Sequence, residues 1–428
     1  MAAVEVTTDD VRIWATENRI GKKVNTYTVV WLVAGKRFKE PFRATAAAES
    51  FRSELITAQR RGEAFDTVSG RPISKLRCNK PTTSWCEFAC AYVDMKWPEI
   101  SGGYRKGVAE ALVSVTSVML TVSVDQDEAK AIRSALQDWG FNFRQRGSAD
   151  QPDDVTKRLT WVGDHCRPIA DLSRPDALRA ALTACGSKLD GTRPAGRTAQ
   201  RKLAVLSNAC NYAVEKDLLP INPIGSIKWS APKSTEVVDR RSVVNPAQAR
   251  ALLDTVRVTP RTGRRLVGFF VCLYYAALRP EEAVDVRQRN LDLPEVGWGW
   301  ITLELAAPST GKTWSDSGRV RDSRQLKHRA VGETRRVPCP PELTKILHWH
   351  LKQFGTDADG RLFRGTRGGE LATVTYSRMW QRARRAALTK EQYASPLGRR
   401  VYDLRHAAVS TWLNGGVAPT QVGLVARP

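Results

Sequence analysis

Long apolar runs are missing from this sequence. None approaches the roughly 18 residues that a membrane-spanning helix requires, and the opening MAAVEVTTDDVRIW has neither a basic nor an apolar leader segment. A cytoplasmic protein is expected. Paired Cys-x-x-Cys knuckles are also missing. The eight cysteines, at 78, 86, 90, 166, 185, 210, 272 and 339, are scattered. Cys86 and Cys90 would share a helix face and Cys166 follows His165, but neither spacing converges four zinc ligands, so packed thiols, no metal and no disulfide are expected. No internal repeat and no low-complexity tract occurs, which sets solenoid and disordered architectures aside.

Acidic charge is the remaining scarcity. Asp and Glu number 44 against 67 Lys and Arg, a net charge of +23. An excess of this size within folded segments implies a polyanionic partner, with nucleic acid first among them. What is present is globular material: 428 residues at 42% hydrophobic content suit two to four domains, each with its own core.

TYTVVWLV (26–33) and KRFKEPFR (36–43) read as strands around a Gly35 turn, followed by the helix TAAAESFRSELITAQRR with Phe51 and Leu55 on one face. The basic second strand could read a groove or be a solvated edge. From Pro81 the pattern turns helical, in SWCEFACAYVDMKW, GVAEALVSVTSVML and AKAIRSALQDWGF. After a break at 186–196 comes RTAQRKLAVLSNACNYAVEKDLL, with Leu203, Leu206, Cys210 and Ala213 as its apolar face and Arg197, Arg201 and Lys202 at its basic, phosphate-facing start. A linker at 230–241 precedes a new start signal: Asn245 as N-cap, Pro246 at the first helical position, then Ala249, Leu252, Leu253 and Val256.

Five stretches could carry chemistry. WGWITLEL (298–305) reads as a strand running into AAPSTGKT (306–313), a relaxed phosphate-loop match. The polar WSDSGRVRDSR that follows lacks the helix whose amides such a loop needs, so an NTPase built on Lys312 is the weakest candidate. The apolar helix at 266–286 carries LRPEE, and Arg279 and Glu282 on one turn could form an oriented pair or a plain ion pair. RQLKHRA (324–330) and ETRRVPCP (333–340) read as two strands around Val331-Gly332. From Lys312 to Arg336 they form a basic tongue with eight Lys or Arg against three acids, Lys327 near its centre. The helix at 376–388 puts Arg378, Arg382 and Arg385 on one face and Trp380, Ala383 and Ala387 on another. YDLRHA starts a helix at Arg405-His406 whose Val409, Trp412 and Leu413 should pack inward and which should stop at Asn414-Gly415.

In this order and spacing, LRPEE, a basic hairpin with a lysine, an arginine-lined helix and YDLRHA resemble the tyrosine site-specific recombinases, the phage-type integrases. The resemblance implies a mainly α fold with small β elements (α+β): an arm-binding module over 1–75, a helical core-binding domain over 81–229 and a catalytic domain over 240–428. It implies a double-stranded DNA partner, an oligomer on DNA, and a nucleoid-associated protein. By position, Arg279 matches the family's first catalytic arginine and Glu282 its supporting acid. Lys327 matches the mobile-hairpin lysine and Arg405 the second arginine. Tyr402 stands where the family has a histidine, with Asp403 and His406 as support. Arg197, Arg201, Lys202, Arg378, Arg382 and Arg385 are the DNA-binding candidates.

In such chemistry a tyrosine hydroxyl attacks a phosphate, two arginines stabilise the non-bridging oxygens and a lysine protonates the leaving 5′ oxygen, with no metal, nucleotide or other cofactor. The family's Gly-His pair and nucleophilic tyrosine would come after Arg405, yet 23 residues follow it and none is a tyrosine. Tyr402 occupies the histidine slot and is not taken as nucleophile. The expectation is a truncated or frameshifted recombinase that binds DNA without cleaving alone. Completion in trans by a neighbour's tyrosine and a non-catalytic regulator or decoy are the alternatives.

Overall fold

The computed structural model describes residues 7–19, 25–74, 83–187, 196–229, 238–365 and 368–426. Cys78, most of the two linkers and Arg427-Pro428 lie outside the described residues. The chain is mainly helical with small antiparallel sheets, and it divides into two compact units, Met1–Ser84 with Pro168–Asp171 and Trp85–Arg167 with Leu172–Pro428.

In the first unit, β1 (Thr7–Thr8), β2 (Val11–Ile13), β3 (Glu17–Arg19), β4 (Thr26–Val33), β5 (Lys36–Phe42) and β6 (Phe65–Asp66) surround α1 (Thr45–Arg60). The predicted hairpin is β4–β5, with Val33 opposite Lys36. Its tight turn requires the positive φ of Ala34 and Gly35, 49° and 76°. β2 and β3 share the other edge of β4 as a broken strand. Leu55 is buried and Phe51 partly so against Trp31, while Lys36, Arg37 and Lys39 are exposed.

The second unit begins with α2 (Trp85–Lys96), α3 (Gly102–Thr116), α4 (Gln126–Ala135), α5 (Asp153–Asp164), α6 (Pro175–Cys185) and α7 (Gly196–Glu215). The expected segments at 84–97, 107–120, 129–141 and 197–219 correspond to α2, α3, α4 with its terminal turn, and α7; α5 and α6 are additional to them. Rings of Trp85, Phe88, Tyr92 and Tyr212 fill the bundle's centre. The seven described cysteines are free thiols, and no group of acidic, His and Cys side chains able to hold a metal occurs among the described residues.

Next come α8 (Pro246–Val258), α9 (Thr262–Tyr275), α10 (Pro280–Asp285), β7 (Leu291–Asp292), β8 (Gly299–Leu303), β9 (Leu305–Ala306), β10 (Arg324–Gln325), β11 (Arg335–Cys339), α11 (Pro341–Phe354), α12 (Thr373–Ala387), α13 (Lys390–Ala394), α14 (Asp403–Asn414) and α15 (Pro419–Ala426). α8 opens with a full capping box: Gln248 N donates to Asn245 Oδ1 at 2.9 Å and Asn245 N to Gln248 Oε1 at 3.0 Å. Its stripe Ala249, Leu252, Leu253 and Val256 is buried against α9, the central helix of this half, which also packs on α11 and α14.

Four expectations are corrected here. The helix read over 266–286 is two helices, α9 and α10, meeting at a corner where Ala277 takes a φ of 47°. Pro280 lacks an N–H and disfavours helical geometry at Arg279, which has φ −73° and ψ 150°. The strand read over 298–305 breaks at Glu304 into β8 and β9. The two arms of the basic tongue do not pair with each other: β10 pairs with β9, and β11 with β8, the middle strand of the sheet β7-β8-β11. The turn between them is closed by the Gln325 side chain, which donates to Ala330 O at 2.6 Å and Glu333 O at 3.1 Å. α14 stops at Asn414 as read, but Leu413, expected inside, is exposed; Val409 and Trp412 are the ones that pack inward.

Residues 313–316 tie this half to the bundle. Arg105 donates to Trp314 O at 3.1 Å and pairs with Asp316 at 2.7 Å, and Asn142 donates to Thr313 O at 3.2 Å. Arg144 donates to the carbonyls of Ser315 and Asp316, each at 2.7 Å. A Cβ on Gly102 would lie 2.5 Å from the Trp314 carbonyl oxygen, so glycine is what permits this approach.

Candidate phosphate-binding site

The corner before Pro280 builds the site. With Arg279 as N-cap and Glu282 at the third helical position, the carboxylate turns back onto the cap: Arg279 N donates to Oε2 and Arg279 Nη1 to Oε1, both at 2.8 Å. From β11, Arg335 Nη2 donates to the same Oε2 at 2.6 Å. From the first turn of α14, Arg405 donates to the carbonyl of Ala277 at the corner and brings Nη1 to 3.9 Å from Oε2. Relative exposures are 4% for Arg279, 1% for Glu282, 4% for Arg335 and 3% for Arg405. Three buried guanidinium charges therefore face one carboxylate, and a site with that excess of positive charge suits an anion.

Burial alone would raise the Glu282 carboxyl, but Arg335, the Arg279 amide and the Arg279 and Arg405 charges outweigh it and hold it below the usual carboxylate range. Burial, then repulsion from Arg279, pushes Arg405 down to about 10, so it stays cationic at neutral pH. Burial lowers Arg335 in the same way, with Glu282 opposing. For Arg279 burial is opposed by Glu282 and by a hydrogen bond with the Tyr402 phenol, and the net shift is upward.

The structure thus brings Arg279, Glu282, Arg405 and Tyr402 together. Tyr402 is half-buried, its ring 5.1 Å from that of His406. His406 is half-buried and held below the ordinary histidine value, first by burial. Asp403 is buried but turns away from the arginine cluster, accepting from Arg400 N at 2.7 Å and from its guanidinium at 3.2 Å. Lys327 is not joined to the cluster: it is exposed on the turn after Leu326, and no hydrogen bond or ion pair holds it among the described residues.

Of the surface cations, Arg197 and Arg201 are exposed, Arg201 pairing with Glu110 at 2.8 Å. Lys202 is a correction. It is 8% exposed, its amine donating to Ser114 Oγ at 2.9 Å inside the bundle, because it sits on the apolar stripe of α7 between Ala199 and Leu206. Arg378, Arg382 and Arg385 are exposed on α12. Lys312 is exposed in a turn that no helix follows, and the amides of Thr310 and Gly311 are engaged by Val320 O at 3.1 and 3.2 Å, so no amide cradle for a nucleotide phosphate forms there.

Sequence reasoning missed Arg335, counting it only in the basic tongue. Strand alternation was the available signal: in RRVPC, Arg335 shares a face with Val337 and Cys339, both buried.

Comparison with solved structures gives chains of similar architecture. These neighbours are DNA-bound integrases and recombinases. The Tn1549 transposon integrase in complex with transposon right end DNA is 17% identical at a TM-score of 0.46, over 70% of this chain and 90% of that one. The XerH site-specific recombinase bound to difH is 12% identical at a TM-score of 0.46, over 81% and 90%. The lambda integrase tetramer bound to a Holliday junction is 14% identical at 0.46, over 96% and 95%. No family model and no curated protein sequence matches the chain.

Proposed function

We propose that this chain binds double-stranded DNA at recombination sites and grips a backbone phosphate in the manner of the tyrosine site-specific recombinases. The observation that carries the proposal is the buried cluster in which Glu282 orients Arg279 beside Arg405. Two guanidinium groups fixed in this way suit the non-bridging oxygens of a phosphodiester, whose charge grows as a nucleophile attacks phosphorus. In strand transfer the attacking hydroxyl forms a bond to phosphorus, the bond to the 5′ oxygen breaks, and a proton passes to that oxygen. Lys327, on its exposed turn, is the proposed donor. Tyr402 takes a histidine's position and hydrogen-bonds Arg279, with His406 against its ring and Asp403 fixing the start of α14. No metal, cofactor or nucleotide takes part. Arg197, Arg201 and the exposed arginines of α12 are proposed to track the DNA backbone within an oligomer. The domain division at 1–75, 81–229 and 240–428, and a cytoplasmic, nucleoid-associated setting, belong to the same proposal.

One observation favours the non-catalytic reading, a regulator or decoy that occupies recombination sites. The phenol of Tyr402, the tyrosine beside the second arginine, is engaged with Arg279. We therefore expect Tyr402 not to act as nucleophile, and the described residues to bind without cleaving unless a tyrosine is brought to the site from elsewhere. The test is a panel of nicked duplexes that trap covalent protein–DNA adducts. Salt-dependent binding without adduct is expected. An adduct formed by this chain alone and lost in Tyr402→Phe would make Tyr402 the nucleophile and overturn the non-cleaving reading. Absence of duplex binding at low salt would overturn the DNA-binding proposal altogether.

A further inference from the structure

The phosphate-site reading above uses Arg279 and Arg405, and leaves unexplained why a third arginine is buried beside them. Buried arginines that serve only the fold are satisfied differently in this chain. Arg321 donates to Ala307 O, to Leu371 O at 3.2 Å and to Thr373 Oγ1 at 3.0 Å. Arg384 donates to Leu397 O at 3.0 Å, Tyr393 O at 3.1 Å and Gln381 Oε1 at 3.0 Å. Arg335, among the described residues, bonds Glu282 alone, and its Nε is buried with no hydrogen-bond partner. Its position serves the carboxylate, not the backbone.

Consider Glu282 without it. Oε1 already accepts from Arg279 Nη1, and Oε2 would keep only the Arg279 amide. A buried carboxylate oxygen with an open acceptor position draws in the next donor, and that donor is Arg405 Nη1, 3.9 Å away. Arg405 would then pair with the acid rather than with a ligand. We propose, resting on the phosphate-site reading, that Arg335 is a positioning residue: by saturating Oε2 of Glu282 it keeps the carboxylate from capturing Arg405, which thereby presents its guanidinium to a phosphodiester.

The test uses the full chain with inorganic phosphate as probe, titrated by ³¹P line broadening, folding being checked by circular dichroism. Arg335→Met should weaken phosphate binding about tenfold in the wild-type background but by no more than about twofold in a Glu282→Gln background, whatever the affinity of Glu282→Gln itself, because an amide has far less hold on Arg405. Arg335→Lys, which keeps the charge but loses the fork, should fall between, at about a threefold loss. Unchanged binding in Arg335→Met overturns the inference while leaving the site intact. So does an equal loss on Arg335→Met in the wild-type and Glu282→Gln backgrounds, since Arg335 would then touch the anion itself. If Arg335→Met does not fold, Arg335→Lys decides: a loss as large as that of Arg405→Ala overturns the inference. A wild-type chain that binds no phosphate removes the underlying reading, and the inference with it, before any variant is measured.

Discussion

Removing the carboxylate of Glu282 should be among the most damaging single changes in the C-terminal half. Glu282→Ala deletes the acceptor of three hydrogen bonds, two from Arg279 and one from Arg335, and leaves three guanidinium groups buried without a counter-charge. At exposures of 1–4% solvent cannot take over that role. Breaking a buried pair from one side costs about 3–5 kcal/mol. The cluster lies in the unit formed by Trp85–Arg167 and Leu172–Pro428, which is larger than the units that shift by about 2–4 °C per kcal/mol, so the melting transition should fall by roughly 5 °C. Differential scanning calorimetry of the full chain at pH 7.5 reads this directly. The pH dependence gives a second check. Because the folded protein holds Glu282 below its ordinary value of 4.5, its contribution is complete above the unfolded value and is lost as the pH falls through the lower, folded one. The gap between wild type and Glu282→Gln should therefore be constant near neutrality and narrow on acidification below about pH 4.5. A Glu282→Ala chain melting within about 2 °C of wild type would show that the cluster is hydrated rather than buried, as would a gap that widens in acid.

Gly102→Ala should lift the 313–316 segment from the bundle, because the new Cβ would meet the Trp314 carbonyl oxygen at 2.5 Å. Faster tryptic cleavage after the exposed Lys312 and Arg319 is expected, and an unchanged rate would remove this role for the glycine. Lys202→Met should leave duplex affinity and its salt slope unchanged, whereas joint replacement of Arg378, Arg382 and Arg385 by alanine should flatten that slope by about one unit for each phosphate no longer neutralised. Equal effects would show that the buried lysine reaches DNA. Lys327→Ala, at an exposed turn, should move the melting transition by no more than about 1 °C; a larger shift would mean that the lysine packs into the fold.

Elements governed by short-range rules were legible from the residues themselves. The β4–β5 hairpin follows from two strand-like runs around the Gly35 turn, and the start of α8 from Asn245 and Pro246. Arg279 and Glu282 sit three apart on either side of Pro280, and they meet as expected, but as a helix cap and its third residue rather than within one helix. The errors came where a residue's environment depended on distant chain. Lys202 carries a charge that reads as surface, yet its place on the α7 stripe puts it inside, where Ser114 receives it. The tongue's two arms looked like partners because they are adjacent in sequence, but β8 pairs with β11 and leaves β10 to β9.

The sequence by itself determined the basic charge, the predominance of helix and the cap that opens α8, because composition and capping act within a few residues. Only the tertiary structure decided that Glu282 serves three arginines instead of one. Arg335 arrives from β11 and Arg405 from α14, and the buried Ala277 carbonyl is left for Arg405 to reach because the helix breaks there. Convergence of charges from separate elements on one buried carboxylate is set by packing, and no local spacing rule encodes it.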